Sequence, residues 1–259
     1  MKVLGIDFET TGLDAEKDRI IEIGAVLWDT ESGIPLKMQS DFVFYVDSKE
    51  GRAKPPLPNS SGVFAEIITS KIEKLTGISS DMLWDHGVPA DMALSRLIGM
   101  AGRADYLVAH NASFDKEFCR IATKGVIDKH WICTMKDINY PEGMGKGDLT
   151  SIAARHGFLN PFAHRALFDV LTMFNIAQKY DWKETIHRSL AGEVTFKAQV
   201  DYNNRDKAKE AGFHWDGKKS IWFKTIKNLP QDVERLVGEA DEIGFSVVRL
   251  NSIEGRRKD

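Results

Sequence analysis

Lys2-Val3-Leu4-Gly5-Ile6-Asp7-Phe8-Glu9 reads as a strand that carries two carboxylates inside an apolar run. Side chains two apart in a strand project from one face, so Asp7 and Glu9 stand side by side near its end. Left unneutralised they repel, and one pKa is pushed upward. Divalent cations that favour carboxylate oxygens, Mg²⁺ or Mn²⁺, resolve that conflict. A solvated acidic pair on a half-exposed strand is the plainer reading, and it fits poorly between Leu4-Gly5-Ile6 and Phe8. Working outward, residues 19–28 and 41–46 read as second and third strands. The intervening turns are rich in Gly, Asp and Ser, which predicts an antiparallel meander.

Residues 47–63 hold three prolines among small polar residues and read as a mobile surface loop. From about residue 65 the apolar spacing turns helical, through Ile68, Ile72 and Leu75 to a stop near Gly77. Helices are expected over residues 92–101, 113–125, 148–156 and 165–180, and strands over 105–110 and 130–133, with a glycine-rich turn at 142–147. Three strands followed by alternating helices and strands predict an α/β domain over residues 1–182, a mixed sheet flanked by helices. Residues 183–191 read as a linker with residual helix. Residues 192–251 restart as a small α+β C-terminal domain, and 252–259 form a basic tail. Within the small domain a hairpin is expected, with arms 213–215 and 220–224.

Two more clusters carry candidate chemistry. In His110-Asn111-Ala112-Ser113-Phe114-Asp115 a strand gives way to a helix. Ser113 is the expected N-cap and Asp115 falls in the first turn, where a carboxylate suits the helix dipole whatever else it does. Phe114 suits the core, or a platform for stacked bases. In His164-Arg165-Ala166-Leu167-Phe168-Asp169 a spacing of five would set His164 and Asp169 about 140° apart on an ideal helix. The two converge if His164 lies in the loop before the helix and Asp169 in the helix's second turn. Thr10-Thr11-Gly12-Leu13, which leaves the first strand, lets backbone approach a ligand closely or simply turn.

Taken in order, these three segments resemble the three motifs of the DnaQ-like (DEDDh) 3′–5′ exonuclease superfamily. That superfamily includes the proofreading subunit of bacterial replicative polymerases, ribonuclease T and oligoribonuclease. Leu75-Thr76-Gly77-Ile78-Ser79 and Leu149-Thr150-Ser151-Ile152-Ala153 resemble its intervening segments, and the likeness runs to about residue 180. It implies a ribonuclease H-like fold and two Mg²⁺ or Mn²⁺ ions held by Asp7, Glu9, Asp115 and Asp169. His164 would be the base and the histidine-type marker. Thr10, Thr11, Gly12, Leu13, His110, Asn111 and Phe114 would contact substrate. The implied substrate is single-stranded or 3′-ended nucleic acid, DNA ahead of RNA, with a DNA polymerase or repair protein as candidate partner. An RNA-trimming exoribonuclease, an idle module that binds 3′ ends or a polymerase, and a phosphatase on the same carboxylates are the alternatives.

Composition sets the frame for these expectations. The 259 residues are 42% hydrophobic and 28% charged with a net charge of −3, which gives a packed core and no overall positive field. Cys119 and Cys133 lie in apolar stretches and read as buried free thiols. The chain start resembles no secretory signal, and no apolar run reaches the ~20 residues of a membrane span, so a cytoplasmic protein is expected. Residues 196–227 hold eight basic side chains against four acidic ones, interleaved with Trp215, Trp222 and Phe223. The tryptophans are expected to fill the core of the small domain; the lysines serve solubility or phosphates equally well. Residues 205–223 also resemble a small domain of unknown function attached to enzymes of DNA and plasmid metabolism.

Overall fold

The structure, a computed structural model, describes residues 1–45, 68–145 and 147–250. The loop expected over 47–63, the first residues of the helix expected from 65, Val46, Lys146 and the tail 252–259 lie outside the described residues. The chain divides into two compact units, residues 1–186 and 187–259.

In the first unit β1 (Lys2–Thr10), β2 (Ile20–Asp29) and β3 (Ile34–Phe44) form the expected meander. Three short strands extend it: β4 (Val88–Pro89), β5 (Tyr106–Ala109) and β6 (Trp131–Cys133). The sheet order is β4-β3-β2-β1-β5-β6, with β5 parallel to both β1 and β6. The helices are α1 (Ser70–Thr76), α2 (Ser80–His86), α3 (Ala90–Ala101), α4 (Ala112–Ala122), α5 (Thr134–Asp137), α6 (Leu149–Arg155) and α7 (Ala166–Ala177), followed by α8 (Trp182–Leu190).

Both faces of β1 are covered, which explains its nearly unbroken apolar run. Leu4, Ile6 and Phe8 pack with Leu97 and Met100 of α3 and Phe118 of α4. Val3 points to the opposite face, with Val170, Met173 and Phe174 of α7. Asp7 and Glu9 share the register of Val3 and Gly5 and therefore sit on the α7 side. That helix comes close because two strand residues lack side chains. A Cβ on Gly5 would lie 2.4 Å from the Phe174 ring, and one on Gly24 would lie 2.2 Å from the Ala166 carbonyl carbon.

Two expectations about these elements are corrected, and one helix is new. β3 begins at Ile34 rather than 41, because the turn is over by Gly33 and Pro35 is tolerated where the β2–β3 register shifts at Leu27/Trp28. α2 was not anticipated; it is seven residues long and buries only Leu83, too little to leave a helical period. The cap of α4 is Asn111 in a left-handed conformation (φ 67°), not Ser113, whose hydroxyl instead donates to Asn111 Oδ1 at 3.2 Å. Elsewhere α1 runs to the expected stop, with Thr69 capping its start and Gly77 (φ 70°) its end.

Of the segment read as a linker with residual helix, residues 183–190 belong to α8, and the division between the units falls inside that helix, after Ile186. In the second unit β7 (Glu193–Gln199), β8 (His214–Asp216), β9 (Ile221–Lys227) and β10 (Ser246–Leu250) form an antiparallel sheet in the order β10-β7-β9-β8. Helices α9 (Arg205–Glu210) and α10 (Pro230–Ile243) complete it, and Phe196, Ala208, Phe213 and Leu236 form its core. The small α+β domain is therefore present. Its tryptophans divide: Trp222 packs against that core, whereas Trp215 is 52% exposed. Cys119 is buried and Cys133 half-buried, both as free thiols. Among the described residues no helix is long and apolar enough to cross a membrane.

Candidate active site

All twelve candidate site residues of the three motifs line one cleft of about 620 Å³ at the carboxyl end of β1 and β5. In sheets with parallel neighbours, that edge is where crossover connections leave room for a ligand. Asp7 and Glu9 come from the end of β1. Asp115 comes from the first turn of α4, which starts just beyond β5. Asp169 comes from the first turn of α7, and His164 from the loop before it. One ligating atom each from Glu9, His164 and Asp169 lie within 4.8 Å of one another.

Electrostatics bear out the conflict anticipated at Asp7 and Glu9. Burial, then the neighbouring Asp115, Glu9 and Asp169 carboxylates, pushes the Asp7 carboxyl well above its ordinary range. Glu9 rises to about 8, through burial and then Asp169, Glu22 and Asp115, opposed by Arg165. Asp115, 2% exposed, rises to about 8 by burial, although the Phe8 N–H donates to its Oδ1 at 3.2 Å. Asp169 rises to about 6, burial outweighing its hydrogen bonds and the nearby His164. Four carboxylates crowded in one cleft form an oxygen-rich donor set with unbalanced negative charge. That set fits a hard divalent cation.

His164 adopts φ 61°, uncommon for a residue with a side chain. The strain, ~1–3 kcal/mol, is held by its N–H, which donates to Asp169 Oδ2 at 3.0 Å. His110 is half-buried. Its Nδ1 meets Thr134 Oγ1 at 3.0 Å, while its buried Nε2 has no partner among the described residues. Burial drives its pKa down to about 4, so the ring is neutral near pH 7. Thr10 donates to the Gly12 carbonyl at 2.6 Å, and Thr11 to Asp18 at 3.1 Å. A Cβ on Gly12 would lie 2.4 Å from Asp18, so the loop needs glycine for close approach. Leu13 projects from it, 87% exposed. Phe114 meets Phe118 with ring centroids 4.8 Å apart while also facing the cleft, so it is both core and wall.

Residues 4–56 match the exonuclease family, and residues 194–250 match a domain of unknown function. The DNA polymerase III epsilon subunit of Treponema pallidum is 34% identical over 170 residues, covering 62% of this chain and 67% of that subunit. The chain belongs to the DnaQ-like exonuclease family. A PolC-type DNA polymerase III of Thermotoga petrophila is 32% identical over 168 residues, 63% of this chain. The chain spans about a tenth of the length of that relative and of its Thermotoga maritima counterpart. Exonuclease I of E. coli, solved with a dT13 oligonucleotide, shares the ribonuclease H-like fold. The TM-score is 0.60 at 13% identity, covering 93% of this chain and 69% of that one.

Three residues outside the expected site set hold this site together, and one of them, Arg165, lies inside the third motif. Glu22, 1% exposed, accepts the Ala166 N–H at 3.0 Å and pairs with the Arg165 guanidinium at 3.1 Å, tying the start of α7 to β2. Asn160, buried, donates to Asp169 Oδ1 at 2.5 Å and accepts from the Phe162 N–H at 3.1 Å. Arg165 also places its guanidinium over the Phe42 ring, 4.9 Å from the centroid. The sequence offered one signal for Glu22, a second acidic residue inside an apolar strand. Asn160-Pro161 marked only a turn.

Proposed function

We propose that the chain is a 3′–5′ exonuclease that hydrolyses the terminal phosphodiester of single-stranded or 3′-ended DNA and releases 5′-mononucleotides. The observation that carries this reading is the convergence of Asp7, Glu9, Asp115, Asp169 and His164 in one cleft. Asp7, Glu9, Asp115 and Asp169 would hold two Mg²⁺ or Mn²⁺ ions. When bound, such a pair lowers the pKa of water and balances charge on the phosphate. His164, exposed at the rim beside Glu9 and Asp169, takes the proton from the attacking water. Asp169 fixes its backbone, and Asn160 fixes Asp169.

Thr10, Thr11, Gly12 and Leu13 would hold the terminal nucleotide, with Leu13 wedged between the last bases and Phe114 behind them. Neutral His110 and Asn111 would supply hydrogen bonds. DNA is favoured because the relatives are DNA polymerase III proteins, which also makes a replicative polymerase a candidate partner.

Strands labelled at the 3′ or the 5′ end, as single- and double-stranded DNA and RNA, test this reading directly. With Mg²⁺ or Mn²⁺ the 3′ label is expected to leave first as a mononucleotide, while 5′-labelled DNA shortens as a ladder. Release from the 5′ end, or undiminished digestion in EDTA, would overturn it.

Stability supplies a second test. Glu9 and Asp115 titrate near 8 and Asp169 near 6 in the fold, against 4.5 and 3.8 as ordinary values. The folded state therefore binds protons that the unfolded chain has released. Metal-free protein loses stability, and its Tm falls, as pH rises from 5 to 8.5. Millimolar Mg²⁺ is expected to remove most of that slope in calorimetry. A Tm that rises over the same interval in EDTA contradicts the metal-site assignment.

A further inference from the structure

We infer that the second unit carries its own binding site for single-stranded nucleic acid, in which Tyr202 and Trp215 stack on unpaired bases and Arg205 and Lys197 take the phosphates. A cavity of about 610 Å³ lies where β7 runs out beside the start of β9, lined by these four residues and Trp222. The inference stands on the small domain's own residues and not on the cleft of the first unit.

Three observations carry it. Tyr202 is 77% and Trp215 52% exposed, a large apolar area left in water at one mouth. Both rings are nevertheless braced. Trp215 sits 5.6 Å from Trp222, which is anchored in the domain core. The Arg205 guanidinium lies 4.0 Å from the Tyr202 ring centroid, and its Nη1 donates to the Tyr202 carbonyl at 3.0 Å. Rings held this way lose little rotamer freedom when a flat partner arrives. Finally, the surrounding stretch carries a positive excess, eight basic against four acidic side chains over residues 196–227. The nearest acid, Asp201, is engaged as a cap, accepting the Asn204 N–H at 2.9 Å.

Braced aromatic faces beside cations suit a ligand that alternates π-faces with negative charges. Single-stranded nucleic acid has that chemistry, and stacking tolerates any base. An apolar peptide would use the rings and waste the charges. An acidic peptide would do the reverse.

The test uses the full chain carrying Asp7→Asn, in EDTA, so that digestion plays no part and failure of the nuclease reading leaves the outcome legible. A fluorescent ~15-nucleotide oligothymidylate is titrated by anisotropy, and 5-iodouracil strands are photocrosslinked and mapped by mass spectrometry. Tyr202→Ala and Trp215→Ala are each expected to weaken binding about tenfold. Trp215→Phe should keep most of it. Crosslinks should fall on Tyr202 or Trp215, and affinity should drop steeply with salt. The inference is overturned if no oligonucleotide binds, or if the alanine variants bind as tightly as the parent with every crosslink inside residues 1–186. Displacement by polyglutamate at equal charge would also overturn it, by revealing a general polyanion patch.

Discussion

Asp7→Asn is expected to abolish nuclease activity by at least ~10³-fold while raising the Tm of the metal-free protein. The two effects share one cause. The Asp7 carboxyl sits where burial and four other carboxylates (Asp115, Glu9, Asp169 and Glu22) all oppose its charge. An amide of the same shape removes that repulsion and, with it, an anionic ligand for a cation. Without placed cations the scissile phosphate loses its charge balance, which is the larger share of catalysis in such sites.

Asp169→Ala should lose as much activity but gain no stability. Its carboxylate accepts from Asn160 and from the His164 N–H, and removing it strands both donors. Digestion of 3′-labelled single strands, with calorimetry in EDTA, separates the cases. An Asp7→Asn protein as active as its parent refutes the site. One that melts several degrees lower in EDTA refutes the account of its charge.

Why some of this was legible in the sequence and some was not follows from the range of the interactions. The β1 carboxylates announced themselves because a polar residue inside an apolar strand has few innocent explanations. His164 and Asp169 were readable as a pair because a loop residue can face the start of the helix that follows it; α7 starts at Ala166, so Asp169 falls in its first turn and not in the expected second.

Glu22 was not readable. Its place inside an apolar strand marks it as unusual, but its partners lie about 143 residues away and nothing local says what it anchors. Asn160 was hidden for another reason: its side chain serves a turn and a carboxylate at once, and only the turn shows in sequence. The left-handed conformations of Asn111 and His164 escaped because neither is glycine. Trp215 and Trp222 look alike in a linear reading. The hairpin register pairs them across β8 and β9, and burial then separates the core residue from the exposed one.

The cleft depends on how closely α7 approaches β2, and Gly24→Ala isolates that dependence. The added Cβ would lie 2.2 Å from the Ala166 carbonyl carbon and 2.3 Å from the Leu167 nitrogen. Both are backbone atoms at the start of a helix, so no rotamer can move them aside. Ala166 is fully buried and bonded through its N–H to Glu22, which leaves the helix start only one response, to lift off the strand. Lifting carries His164 and Asp169 away from Glu9, and misplacement near 1 Å at a reacting centre costs about 10²-fold in rate. Overpacking of this kind also costs ~1–3 kcal/mol, roughly 3–10 °C in Tm here. Gly99→Ala, in α3 with open space around its Cβ position, is the matched control. It should leave activity unchanged and raise Tm slightly, since alanine is the better helix former by ~1 kcal/mol. If Gly24→Ala digests DNA within twofold of its parent, the packing of α7 on β2 does not set the geometry of the site.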